Sequence, residues 1–116
     1  LHLRNPINAT QKKRDVISPM KVDDWTYIQM EKGLLAFYDK DYKNALYHYS
    51  IVAKKYPLFG LIHLRLGNVY YQLKDYGAAE RHWKKALRYN VDDPEEIVYF
   101  LKKLEAKALE IEEYKE

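Results

Sequence analysis

The sequence predicts an all-α fold, an α-solenoid in which two antiparallel helix pairs stack with a right-handed twist and a C-terminal helix caps the stack. Three observations carry that prediction. The chain repeats itself at a spacing of 34 residues, helix-start signals recur at the same place in both copies, and residues 94–116 carry one apolar stripe at helical spacing. A length of 116 residues suits one domain with a real core.

The head, residues 1–22, is read as a basic extension, irregular or partly helical. Residues 1–21 hold five bases (Arg4, Lys12, Lys13, Arg14, Lys21) against Asp15 alone. The run Lys12-Lys13-Arg14 could touch phosphate or lipid, but three bases in a polar segment read more simply as a solvated linker. No broad basic face follows it, so nucleic acid is not an expected partner. Residues 22–93 are nearly balanced, with eleven bases and nine acids, and residues 94–116 are acidic, with four and seven.

Aligning residues 26–59 with 60–93 pairs Ile28 with Ile62, Gly33 with Gly67, Ala45 with Ala79 and His48 with His82. Lys40-Asp41-Tyr42 pairs with Lys74-Asp75-Tyr76, and Tyr49 with Trp83. Gly in mid-helix costs about 1 kcal/mol against Ala, which makes sense where a neighbouring helix must come close. Asp41 and Asp75 are acceptors for the free N–H groups at second-helix starts. Pro57 closes the first pair. Asp93-Pro94-Glu95-Glu96 offers a cap, a proline in the first helical position and Glu three residues after the cap. Helices are expected at 23–38, 41–56, 60–73, 76–90 and 94–114, so that two pairs fill 23–93.

The last helix carries Ile97, Leu101, Leu104, Ala108 and Ile111 as its stripe, with Glu105, Glu110, Glu112 and Glu113 behind. A stripe with a polar back is what a terminal cap needs. The same spacing suits a coiled-coil seam, though it covers only about two heptads of the ~3–4 that would argue one. A homodimer through residues 97–111 is therefore the competing reading.

These residues resemble the tetratricopeptide repeat, a 34-residue helix–turn–helix unit. The second copy supplies Leu66, Gly67 and Tyr70, then Ala79, Trp83 and Ala86. The first supplies Gly33, Ala45, Tyr49 and Pro57. Gln29 and His63 stand where the family usually has Trp, Lys32 and Ala36 where it has Leu and Tyr, and Val52 where it has a small residue. The resemblance implies that Tyr42 and Tyr76 plug the corner beside each turn, and that Tyr49 and Trp83 fill the gap between pairs.

It also implies that the first helix of each pair lines a concave groove for another protein. On that geometry the partner-binding candidates are Tyr27, Met30, Leu34, Phe37 and Tyr38 from the first pair. The second pair offers Leu61, Leu64, Arg65, Asn68, Tyr71 and Gln72. The opposite faces carry Ile28 and Leu35, then Ile62, Leu66, Val69 and Leu73, and a helix apolar on both sides wants covering on both. The cover for the first pair is either the head, through Ile7, Val16, Ile17 and Met20, or a partner segment. Part of the family grips a C-terminal carboxylate with Lys, Asn and Arg. Asn68 and Arg65 fit that clamp, but Met30 and Leu34 occupy places needing Lys and Asn, so binding of an acidic chaperone tail is not expected.

Chemistry is sparse. Cysteine is absent, so neither disulfide nor thiolate enters. There is no Gly-rich phosphate loop, no HExxH and no nucleophile beside a base by motif, so no enzyme, cofactor or metal is expected. His48 and His82 share a position, which the repeat register explains without a metal. No apolar run is long enough to span a bilayer.

The functional expectation is a protein–protein interaction module, an adaptor or scaffold. Its alternatives are self-association and docking onto another domain of a longer chain. Leu1 in place of Met suggests an excerpt or processed product, with any signal or anchor outside it. Fifteen Lys against five Arg suggest a bacterial source. The compartment is left open between cytoplasm and a membrane-anchored or periplasmic place.

Overall fold

The computed structural model describes residues 22–115, with side chains described as far as Glu110. The basic head and Ile111 lie outside that range, and with them the proposed lid and the far end of the stripe. The described residues form five helices: α1 (Asp24–Tyr38), α2 (Tyr42–Lys55), α3 (Gly60–Gln72), α4 (Tyr76–Arg88) and α5 (Pro94–Lys115). Each packs against the next, so α1/α2 and α3/α4 are the two pairs and α5 lies on α4.

The repeated Lys-Asp-Tyr divides its labour at each turn. Lys40 and Lys74 take left-handed backbone, with φ of 62° and 65°. The Lys40 N–H donates to the Phe37 carbonyl and the Asp41 N–H to that of Ala36; Lys74 and Asp75 do the same with Tyr71 and Tyr70. This double closure satisfies carbonyls that a helix end leaves free. Asp41 and Asp75 then accept from the Asn44 and Ala78 N–H groups at the next helix start. Tyr42 meets Phe37 edge-on at 5.7 Å, and Tyr76 meets Tyr71 at 5.5 Å, which is the expected corner plug in both copies.

Gly33 and Gly67 are buried where the expected close approach occurs. A Cβ on Gly33 would run into the Tyr49 ring, and one on Gly67 into the Trp83 ring. The partner in the close approach is thus the large aromatic of the same pair's second helix. Ala45 and Ala79 are fully buried on those helices. One core cluster joins Tyr49 and Val52 of α2 to Ile62, Leu66 and Val69 of α3. A second joins Ala79, Trp83 and Ala86 of α4 to Ile97 and Leu104 of α5. Each cluster thus reaches from the second helix of a pair to the unit that follows, as stacked repeats require.

The cap reading of α5 agrees with this packing. Ile97 is wholly buried and Leu104 nearly so, with Phe100 and Leu101 packed beside them. A homodimer seam through 97–111 would share Ile97 and Leu104 with this packing, whereas Ala108 of the same stripe is exposed. Farther along, Leu109 is exposed.

Gln29 and His63, at equivalent repeat positions, each make a polar contact with the second helix of their own pair. His48 Nδ1 lies 2.7 Å from Gln29 Oε1, and His82 Nδ1 lies 3.1 Å from His63 Nδ1. Both contacts join α-helix partners 19 residues apart at equivalent repeat positions. His63 Nε2 is 2.6 Å from the Pro57 carbonyl, which can only accept. His63 therefore carries its proton on Nε2, and His82 donates from Nδ1. Tyr70 stacks on His82 at 5.4 Å and Tyr89 tilts over His63 at 5.7 Å. Burial first, then neighbouring His63, Lys85 and Arg81, pushes His82 down to about 4. His63 is lowered as well, chiefly by burial, against the Pro57 bond that favours its proton.

Candidate functional site: a double hollow on the inner helices

Two hollows lie side by side on the face shared by α1, α3 and α5. The first is lined by Leu34, Phe37 and Tyr38 of α1 and by Leu61, Leu64, Arg65 and Asn68 of α3, with Tyr49 among them. The second is lined by Asn68, Tyr71 and Gln72 of α3, by Phe100 and Lys103 of α5, and by Trp83 and Phe37. Their volumes are about 290 and 280 Å³, at the lower edge of the range usual for ligand pockets.

The hollows are one design used twice. Leu34, Phe37, Tyr38 and Tyr49 in the first become Asn68, Tyr71, Gln72 and Trp83 in the second, each 34 residues on. The rings that occupy the space above Gly33 and Gly67 are the same rings that line the hollows. The glycine–aromatic pairing that lets the helices close thus also shapes the hollows. Along the face, chemistry shifts from leucine and phenylalanine to amide and phenol.

Nine of the eleven residues expected on the groove line these hollows. Tyr27 is exposed but lies outside both, near the start of α1. Met30 is a correction. It is 6% exposed and belongs to the first core cluster with Tyr49 and Ile62, so it is no contact surface. Its place on the same helical face as Tyr27 and Leu34 holds, but that part of the face is filled from within the chain.

Phe100 and Lys103 were not expected here. The signal was available: α5 follows α4 across a turn as α3 follows α2, so its inner face must complete the groove as well as cap the stack.

The cover expected for α1 is lacking among the described residues. Ile28 is 47% and Leu35 63% exposed, whereas their repeat equivalents Ile62 and Val69 are fully buried against α2. The difference is position in the stack, since the described chain has no helix ahead of α1 to do what α2 does for α3.

Polar groups are fixed by their neighbours. Trp83 Nε1 donates to Asn68 Oδ1 at 3.1 Å. An indole N–H can only donate, so the amide oxygen of Asn68 faces inward and its NH2 keeps two donors for the groove. Arg65 holds its guanidinium 5.9 Å from the centre of the Tyr49 ring. Among the described residues, no group of three or more metal-ligating side chains gathers, and no helix is long and apolar enough to cross a membrane.

Residues 60–93 match the tetratricopeptide repeat family, the full second pair with its following turn. The five helices agree with a stack of such repeats. This family is a non-catalytic repeat fold that in general serves protein–protein interaction. No curated protein and no solved structure matches the chain.

Proposed function

With a tetratricopeptide repeat at residues 60–93 as premise, we propose that the chain is an adaptor that holds a segment of another protein in the double hollow and so stabilises a multiprotein complex. The observation that carries this reading is the repeated pair of aromatic-floored hollows. Each is sized for side chains, and together they form a continuous track through shared Phe37 and Asn68. Tyr38 and Gln72 stand exposed at its margin, while Leu61, Leu64 and Tyr71 are half-buried walls. Half-buried apolar walls with polar tips suit a segment that docks apolar side chains and leaves its backbone partly solvated. An envelope-associated complex in a bacterium is suggested by analogy with the family.

The test is selection of peptides from a displayed random library on the immobilised chain. Selected peptides should bind wild type and lose about tenfold or more on Leu64→Ala/Tyr71→Ala or on Tyr38→Ala. Circular dichroism melts guard against loss of fold, and Tyr38, which is largely exposed, carries little of it. Peptides that bind all variants equally sink the groove.

Self-association is the second reading, favoured by the exposed Leu109 beyond the capped stretch of α5 and by the exposed Ile28 and Leu35 on α1. A monomer by light scattering across micromolar concentrations removes it.

A further inference from the structure

The groove's polar equipment is one-sided. Its charged lining residues are Arg65 in the first hollow and Lys103 in the second, and no carboxylate lines either. Neither cation makes an ion pair among the described residues, where the pairs are Lys55–Asp23 and Lys84–Glu80. Asn68, at the junction of the hollows, spends its oxygen on Trp83 and presents donors only. The repeat makes this directional. Glu31 stands on α1 at the position equivalent to Arg65, exposed and outside both hollows. The track therefore offers aromatic and leucine walls, N–H donors at its centre and a cation in each hollow.

Resting on the groove reading above, we propose that the occupant is an acidic, apolar segment internal to a partner chain. Two of its large apolar side chains enter the two hollows, and its carboxylates meet Arg65 and Lys103. The Asn68 amide donates to a carbonyl of the segment where it crosses between them. Charge complementarity selects the segment, since a basic peptide would set its cations against Arg65 and Lys103 with no carboxylate lining either hollow to answer them. No chain end is needed, because the donors are spread along the track and not gathered at one point.

The test uses short peptides blocked at both ends, in which Leu and Phe alternate with Glu, with Gln, or with Lys. Binding to the full 116-residue chain is read by calorimetry at low and moderate salt. The Glu peptide should bind about tenfold more tightly than the Gln peptide, the contribution expected of about one well-placed charged hydrogen bond. The difference should shrink as salt rises, and the Lys peptide should be weakest. Lys103→Gln and Arg65→Gln should each remove most of the Glu preference while leaving binding of the Gln peptide in place. Asn68→Asp keeps an acceptor for Trp83 and removes both donors, so it should weaken the Glu peptide most while the thermal melt stays near wild type.

Equal binding of Glu and Gln peptides, or preference for Lys, overturns this inference and leaves the groove reading standing. Failure of all three peptides overturns both. A dimer in sedimentation that Arg65→Gln converts to monomer overturns it in favour of a second copy as occupant.

Discussion

His82 donates a hydrogen bond from Nδ1 to the Nδ1 of His63, at 3.1 Å, in the position where His48 reaches Gln29 in the preceding repeat. The pair replaces the aromatic that the family usually carries on the first helix. It ties α3 to α4, and through the Pro57 carbonyl it also ties α3 to the turn before it.

The pair makes the second repeat sensitive to acid. An unfolded histidine takes its proton near 6.5, whereas folded His82 resists until about 4. The folded state is therefore fully favoured above about pH 6.5, and that share of stability drains as pH falls toward 4. For a half-exposed ring the loss is about 1–2 kcal/mol. His63→Gln rebuilds the Gln–His pair of the first repeat. Thermal melts should show it near wild type at neutral pH and less weakened at pH 4.5. An equal acid loss in both proteins contradicts the assignment.

The glycines separate by what lies above them. Gly67→Ala drives a methyl into the Trp83 ring and should cost about 2–3 kcal/mol by urea unfolding. Gly77→Ala, at the start of α4, meets only the far end of Arg81 at 3.6 Å and should stabilise by about 0.5–1 kcal/mol.

Lys40 and Lys74 hold a backbone conformation that glycine adopts without a Cβ penalty. Lys74→Gly should therefore raise stability by about 0.5–1 kcal/mol in the same assay, the opposite of the usual effect of adding glycine.

These contrasts explain how much could be read from the sequence. The helices, their caps and the glycine contacts were legible because each is local or recurs at 34 residues. The His63–His82 bond was not. Its two halves were both visible, as a departure from the family's Trp and as a recurring His, but only a fold that brings positions 19 apart face to face joins them. Met30 shows the other limit. Helical spacing gives the face of a residue, but not whether the chain's own core, here the cluster that includes Tyr49 and Ile62, already buries it. The orientation of Asn68 needs the Trp83 ring beside it, and no pattern in the sequence reports that.

α5 should be indispensable to the second repeat. Leu104→Ala removes a nearly buried side chain from the cluster with Trp83 and Ala86 and should cost about 2–4 kcal/mol. Since Phe100 and Lys103 stand on the same helix, peptide binding should weaken along with the melt.

The most direct test of the central claim is chemical-shift mapping by nuclear magnetic resonance with a display-selected peptide. The account predicts that perturbed amides cluster at Leu64, Asn68, Tyr71, Phe100 and Lys103, along the double hollow. Perturbations confined to the exposed back of α1, at Ile28 and Leu35, would contradict it and place recognition on that face.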